Sequence, residues 1–467
     1  MAYDLIIRGG RAVLPGGGVQ EADVAILDGS IAALLQPGAS VDAAEVLDAS
    51  GLHVLPGAID AHLHLGHGKD ISRPRVPSDA ASETGAAAAG GVTTFIPYIL
   101  TGDLYENGLF DEIRAVTEAG ARIDFGYHFI ISSEGQLAGV PRYADEYGIA
   151  SFKVFMNNRG GEGARLGLPD IDDGFLFRLA EAASSAGALV CPHPENIEVA
   201  WVLRDRLKAA DPEGRGGLAT WDASRPSFVE ADAVSRAATL CQATGAALYV
   251  VHTSSAAALE AGLEGRRRGA SVLIETCPHY LTHDVGFAGG DRGKINPPLR
   301  HAADREALWA GIASGAIDTV ATDHVHRDVS SKTGGIWAAS PGCPGLETLL
   351  PVMLSEGHHV RAIPLGRIVD LLSTNPARTM GLARKGTIAI GQDADFALVD
   401  LDVEWTVDAS TIRSDAGYSI YEGWRLRGKP VTTLVRGRAV YRDGALVEDA
   451  VGTGRYVGRR RSTPASR

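Results

Sequence analysis

Between residues 55 and 384 short apolar runs alternate with longer amphipathic stretches, and this alternation restricts the fold more than any other feature. The runs include Thr93-Thr94-Phe95-Ile96, Ser151-Phe152-Lys153-Val154-Phe155-Met156, Ala188-Leu189-Val190-Cys191, Ala247-Leu248-Tyr249-Val250-Val251 and Ser271-Val272-Leu273-Ile274. Their length and flanks suit buried strands. Between them lie helical patterns at Phe175 to Ala186, Val229 to Thr244 and Ala303 to Ser314. In the first of these Phe175, Leu176, Leu179, Ala182 and Ala183 share one face. Strand, helix, strand in repetition means parallel strands with crossover helices. Over about 330 residues a closed (β/α)8 barrel of the α/β class accommodates the pattern best. No short-period internal repeat is visible.

The two ends have a different texture. Asp4-Leu5-Ile6-Ile7-Arg8 precedes Gly9-Gly10, and Ala22-Asp23-Val24-Ala25-Ile26-Leu27 precedes the turn signal Asp28-Gly29. Near the other end, Asp395-Phe396-Ala397-Leu398-Val399 and Val431-Thr432-Thr433-Leu434-Val435 read as strands, with Arg436-Gly437 leading into Ala439-Val440-Tyr441. Neither end has enough strands for a good core alone. The expectation is that they meet in one small β domain. The domains are then 1–54 and 385–467 for the β part, the latter including the tail, and 55–384 for the barrel.

Charge and composition exclude several roles. A net charge of -13 argues against a nucleic-acid partner, whose phosphates require a positive surface. The basic run Arg459-Arg460-Arg461 reads as a frayed, solvated end. The four cysteines, Cys191, Cys241, Cys277 and Cys343, form no CxxC pair. Reduced thiols and a cytoplasmic setting follow most simply. No signal-peptide pattern opens the chain, and no charge-free stretch is long enough for a bilayer.

The chemistry gathers at the ends of the apolar runs. Asp60-Ala61-His62-Leu63-His64 follows Val54-Leu55-Pro56-Gly57-Ala58-Ile59, and residues two apart in a strand point the same way. His193, His252 and Asp323 each follow another run, at the face where barrels place their sites. Singly, the histidines read as hydrogen-bonded core residues and Asp323 as a helix cap. Together, four imidazoles and a carboxylate can converge on metal. Lys153 lies within an apolar strand. It either snorkels its head outward or is buried and uncharged. A neutral buried amine can react with carbon dioxide to a carbamate, an anion able to bridge two metals.

These residues resemble the amidohydrolase superfamily, and among its members the cyclic amidohydrolases: hydantoinase, dihydropyrimidinase, allantoinase and dihydroorotase. The resemblance rests on Pro56-Gly57-Ala58-Ile59-Asp60-Ala61-His62-Leu63-His64, Gly90-Gly91-Val92-Thr93-Thr94, Phe152-Lys153-Val154-Phe155-Met156, His193-Pro194-Glu195-Asn196 and Val251-His252-Thr253-Ser254-Ser255. It continues through Glu275-Thr276-Cys277-Pro278-His279-Tyr280-Leu281, Asn296-Pro297-Pro298-Leu299-Arg300, Thr322-Asp323-His324 and Gly391-Gln392-Asp393-Ala394-Asp395.

The resemblance implies a β-sandwich built from both ends beside the barrel. It implies that His62, His64 and Asp323 hold one divalent ion, that His193 and His252 hold another, and that N6-carboxylated Lys153 bridges them. The ions would be zinc, with manganese or cobalt as alternatives. A hydroxide between them would attack the amide carbonyl of a cyclic ureide or imide, and Asp323 would carry the proton to the leaving nitrogen. Substrate contacts would come from Asn158, Asn296 and Pro341, the last through its carbonyl because proline has no N–H. A dimer or tetramer is the assembly implied.

Two departures bear on substrate. Asn158 stands where hydantoinases and dihydropyrimidinases often carry a tyrosine, and Gly66 stands where dihydroorotases usually carry an arginine. The latter counts against an orotate-type carboxylate. The segments Val407-Asp408-Ala409-Ser410, Tyr418 to Gly423 and Val435-Arg436-Gly437 look nearest to L-hydantoinase and allantoinase-like members. The Gly-rich loop from Asn157 to Leu168 is expected to shape the pocket mouth. Two alternatives stay open: a non-catalytic dihydropyrimidinase-like scaffold, and a hydrolase of an acyclic amide.

Overall fold

Eight parallel strands surround the centre of the computed structural model, which describes residues 2–160, 163 and 167–461. They are β1 (Ala58–His64), β2 (Val92–Ile99), β3 (Asp124–Phe125 and His128–Ile130), β4 (Ser151–Phe155), β5 (Leu189–His193), β6 (Ala247–Val250), β7 (Val272–Thr276) and β8 (Thr319–Val320 and His324–Val325). Each pairs in parallel with its successor. The first piece of β8 pairs with β7 and the second with β1, His324 lying opposite Leu63. The sheet therefore closes on itself through a strand broken at Ala321, Thr322 and Asp323. Residues from β1, β2, β3, β5 and β6 meet in one buried cluster, with Ile59, Ile96, Tyr98, Ile130, Leu189, Cys191 and Tyr249 against Met380 and Leu382.

Helices occupy the crossovers: Pro77–Ala89, Leu109–Gly120, Glu134–Asp145, Asp173–Ser185, Ser227–Thr244, Ala256–Arg267 and Ala302–Ser314. Several begin where a side-chain oxygen caps free amides. Asp172 accepts from the Phe175 N–H at 2.8 Å, and Ser255 accepts from Ala258. The crossover after β5 carries two further helices, Ile197–Ala210 and Gly217–Ser224. Among the described residues no helix is long and apolar enough to cross a membrane.

The chain ends form a β-sandwich. One sheet has the order Ser30–Leu35, Asp23–Leu27, Tyr3–Arg8, Ala43–Asp48. The other runs Ala445–Leu446, Arg438–Arg442, Arg425–Val435, Phe396–Thr406, His53–Pro56, Arg11–Val13, Val19–Glu21. Leu5, Ile7, Val24 and Ile26 pack against Phe396, Leu398 and Leu434, so the core needs both ends. The turn between Asp23–Leu27 and Ser30–Leu35 holds Asp28 and Gly29 at φ 51° and 71°, the left-handed pair that Asp-Gly signals. His53–Pro56 lies in the sandwich and β1 begins at Ala58. We propose the first domain division at Gly57, with the others as read from sequence.

The expectation of a frayed arginine tail is corrected. Val457 donates its N–H to the Phe125 carbonyl at 2.7 Å, and Gly454 donates to Ala121 at 2.9 Å. Arg459 is 1% exposed and donates to the Tyr127 carbonyl and to Ser151 Oγ. Carbonyl and hydroxyl acceptors at the starts of β3 and β4 draw the tail inward. Residues 462–467 lie outside the described residues, as does much of the loop from Asn157 to Leu168.

Candidate metal centre

The break in β8 and the end of β1 place Asp323 against two imidazoles. Asp323 Oδ1 is 3.1 Å from His62 Nε2 and 3.5 Å from His64 Nε2. Asp323 is anchored by its N–H, which donates to the His62 carbonyl at 2.8 Å. Donor atoms of His62, His64 and Asp323 all lie within 4.8 Å of one another. From β5 and the end of β6, His193 Nδ1 and His252 Nε2 approach to 3.0 Å. The His62 and His252 rings are 5.3 Å apart, joining the two groups. Lys153, on β4, brings Nζ to 3.4 Å from His62 Nε2 and 4.5 Å from the centre of the Tyr98 ring. The structure thus brings together all six residues expected from sequence.

Two of these positions are held in an uncommon backbone conformation. His252 has φ 40° and Asp323 has φ 47°, in the left-handed region that side chains other than glycine seldom adopt. Such strain persists where the surroundings impose it, and it concentrates at functional sites. The surroundings here are visible. Glu275 Oε1 accepts from the His252 N–H at 2.8 Å, and Asp60 accepts from the amides of His62 and Thr322.

A second layer of carboxylates sets the imidazole protons. His62 Nδ1 lies 2.6 Å from Glu275 Oε1, and His193 Nε2 lies 2.6 Å from Glu195 Oε2. Glu275 also accepts from the Tyr249 hydroxyl at 2.7 Å, and Glu195 from Arg225 at 2.8 Å. A carboxylate only accepts, so a neutral ring must carry its proton on the nitrogen facing it. The opposite lone pairs, on His62 Nε2 and His193 Nδ1, then point at Asp323 and at His252. A divalent ion can take up such lone pairs, and a carboxylate behind each imidazole is the usual support of a metal ligand. The residues present therefore fit divalent ions.

Electrostatics separate the four rings: at His62 burial lowers the pKa, but Glu275 and Asp323 outweigh it and raise it, so without metal this ring favours its charged form. Burial holds His64 down to about 4 and also lowers His193 and His252, which keeps these rings neutral. At Asp323 burial works against the charge, but His62 outweighs it and the carboxyl sits well below its usual range. Burial lowers the Lys153 ammonium, against the pull of Asp323 and Glu275. Glu195 falls to about 2: burial would raise it, but Arg225 prevails.

The site opens into a cavity of about 550 Å³ lined by His64, Lys153, His193, His252 and Asp323. Asn158, Asn296 and Pro341 line it as expected. Asn158 is 3% exposed and its Nδ2 has no hydrogen-bond partner among the described residues. Asn296 Oδ1 accepts from Trp221 Nε1 at 3.2 Å, and the Pro341 carbonyl accepts from Arg327 at 3.2 Å. Sequence reading gave no role to Glu275, Glu195, Asp60 or Tyr98. Glu275, a carboxylate that follows the apolar Val272-Leu273-Ile274 within β7, was the clearest available signal.

The comparisons with known proteins agree with this geometry. Residues 274–440 match the family model described as "Amidohydrolase family". The chain is 37% identical over 465 residues to an allantoinase of Deinococcus radiodurans, covering 95% of this chain and 96% of the other. It is 36% identical to a D-hydantoinase of Geobacillus stearothermophilus, covering 94% and 93%. A solved D-hydantoinase structure superposes with a TM-score of 0.88 at 32% identity, covering 98% of this chain and 99% of that one. A match of this extent in sequence and fold places the chain in the amidohydrolase family, among the hydantoinase- and allantoinase-type cyclic amidohydrolases.

Proposed function

We propose that this protein hydrolyses the ring amide of a cyclic ureide or imide, using His62, His64, Lys153, His193, His252 and Asp323 to hold two divalent ions. The observation that supports this best is the pair of imidazole lone pairs, on His62 and His193, that Glu275 and Glu195 turn toward the other four residues. The donor set suits zinc, with manganese or cobalt as alternatives. Lys153 in its carbamate form would supply the bridging anion. When bound, the ions would lower the pKa of a water and polarise the amide carbonyl.

The chain's own groups account for the remaining demands of the reaction. Water adds to the carbonyl carbon, the ring C–N bond breaks, and the nitrogen leaves with a proton. Asp323 is an anion at neutral pH, so it can take the proton released by the attacking water and return it to that nitrogen. Asn158 Nδ2, buried in the cavity wall without a partner among the described residues, can donate to the carbonyl oxygen as negative charge builds there. Asn296 and the Pro341 carbonyl offer polar groups for orienting the ring.

The test is ring opening of hydantoin, dihydrouracil, allantoin and succinimide by metal-loaded protein, with and without chelator. Turnover that chelator abolishes is expected. No turnover on any ring by the metal-loaded protein overturns the reading. We also propose a cytoplasmic setting and a dimeric or tetrameric assembly. A monomer at micromolar concentration in light scattering would overturn the latter.

A further inference from the structure

The C-terminal segment brings a chain of hydrogen bonds up to the metal-ligand residues from below. It lies along β3: the Phe125 N–H donates to the Arg455 carbonyl at 3.0 Å, and the Arg459 N–H donates to the Gly148 carbonyl at 2.8 Å. Gly148 has φ 67°, and a side chain there would strike the Gly458 backbone, so the two segments are in close contact. Arg459 is thereby delivered beneath the barrel, where its Nη2 donates to Ser151 Oγ at 2.9 Å. Ser151 opens β4 and, two residues before Lys153, points to the same side of the strand.

From Ser151 onward each proton has one place. Ser151 Oγ lies 2.5 Å from His128 Nδ1, and His128 Nε2 lies 2.9 Å from the Ala61 carbonyl. A carbonyl only accepts, so Nε2 carries a proton. Burial and the nearby Arg459 guanidinium hold the His128 pKa well below the ordinary histidine range, so the ring is neutral and Nδ1 is a lone pair. The Ser151 hydroxyl therefore gives its one proton to Nδ1 and accepts from Arg459, which can only donate. Ala61, at the far end, lies between Asp60 and His62 in β1. The His128 ring also stacks on Tyr98, with centres 4.1 Å apart. Tyr98 meets His62 edgewise at 4.7 Å, and its ring centre lies 4.5 Å from Lys153 Nζ. His128, Ser151 and Tyr98 are all fully buried. One imidazole thus supports both the backbone beside His62 and the aromatic floor under His62 and Lys153.

We infer that Arg459 is a positioning residue for the metal centre: through Ser151 and His128 it fixes the β1 backbone at Ala61 and the Tyr98 ring in the places from which His62 and Lys153 bind metal. This rests on the proposed metal-holding role of those two residues and adds the C-terminal segment to what sets their geometry. Loss of Arg459 leaves Ser151 without its donor, and loss of the Ser151 hydroxyl leaves His128 free to tilt away from Ala61 and Tyr98. Either change loosens the same two supports, so the two act as one unit.

The test is zinc titration of metal-free wild type, Ser151→Ala, Arg459→Met and the double variant, in competition with a chromophoric chelator. Ser151→Ala cuts the chain while leaving Arg459 its Tyr127 and Met380 carbonyls, so the tail keeps its place and the comparison stands even where Arg459→Met fails to fold. Each single variant should bind zinc about tenfold more weakly, the lower edge of what loss of an outer partner costs. The double variant should bind no more weakly than the weaker single one, because both changes break one chain. The visible absorption of cobalt-loaded protein should shift alike in the two single variants, reporting altered ligand geometry. Arg461→Met loses a contact of the same tail, to the Thr379 carbonyl, but touches no member of the chain, and should match wild type in both readouts. Wild-type affinity in Ser151→Ala, or losses that multiply in the double variant, would overturn the positioning role and leave the metal centre standing. A wild-type protein that takes up no zinc would overturn the metal centre itself, and the positioning role with it.

Discussion

At His62 a proton's position is set by a residue that never faces the cavity. Glu275 holds the Nδ1 proton at 2.6 Å and the His252 backbone at 2.8 Å, so one carboxylate orients two expected ligands. Glu275→Gln keeps the shape but offers an amide that can donate to the ring instead. Metal affinity should fall about 10–100-fold, read by titration of metal-free protein, and wild-type affinity would contradict this role. Lys332 is a second residue whose chemistry the structure decides. It is 5% exposed, donates to the Lys294 carbonyl at 2.9 Å, and burial brings it down to about 7. Between that value and the ordinary lysine range the unfolded chain binds more protons than the folded one, so this group's contribution to stability rises with pH. In Lys332→Met the gain in urea stability between pH 7 and pH 9 should be smaller than in wild type. Equal gains would refute it. The residues expected as metal ligands were legible because each lies within or just after an apolar run. Glu275 and Lys332 were not, because their partners are distant in sequence, and Glu195, only two residues from His193, was not because its contact depends on how the chain turns after β5.

Among the elements, the segment after Gly452 shows best how a local reading goes wrong. Three successive arginines near a chain end imply solvent, since each charge is costly to bury. The fold offers Arg459 the Tyr127 carbonyl, Ser151 Oγ and the Met380 carbonyl in a pocket beneath the barrel, and burial lowers its pKa to about 10. Ser151 Oγ lies 2.5 Å from His128 Nδ1, and His128 Nε2 lies 2.9 Å from the Ala61 carbonyl beside His62. Arg459→Ala leaves these acceptors buried without that donor and opens a void, which should cost roughly 3 kcal/mol in urea unfolding of metal-free protein. A loss below about 0.5 kcal/mol, the scale of a surface substitution, would restore the picture of a loose tail. Other elements were legible from sequence. The runs near Phe95, Phe152, Val190, Leu248 and Leu273 became β2, β4, β5, β6 and β7. The interruption of β8 at Asp323 was not, because a left-handed residue other than glycine leaves no mark in hydropathy.

For the whole molecule, joining two chain ends into one sandwich requires a fastening to the barrel. Part of it is charged and buried. Lys385 Nζ lies 2.8 Å from Asp124 at the start of β3, and 2.6 and 3.2 Å from Asp395 and Asp393 beside the strand Phe396–Thr406. Arg436 pairs with the other oxygen of Asp124. Burial alone would discharge Lys385, but the three carboxylates outweigh it and raise its pKa. At Asp124 burial raises and Lys385 with Arg436 lowers, leaving it below the ordinary aspartate value. Sequence could place β texture at both ends, but it could not show that an aspartate between Ile123 and Phe125 is the barrel's side of their attachment. In wild type, Asp124 contributes stability that is present above the unfolded aspartate pKa of about 3.9 and is lost as pH falls through its lower folded value. Lys385→Met reverses that sign. The buried Asp124 and Asp395 then face Arg436 alone, with the half-buried Asp393 held by Arg384, so repulsion and desolvation raise the folded pKa of Asp124 above its unfolded value, raise that of Asp395 further, and the folded state binds protons more readily. The variant should lose about 3–5 kcal/mol at pH 7, as expected when one partner of a buried charge cluster is removed. It should also gain more stability than wild type as pH is lowered from 7 toward 5. Urea unfolding of both proteins, metal-free, at pH 7, 6 and 5 measures this, and parallel pH profiles for the two would show that the cluster does not join the domains through its charge.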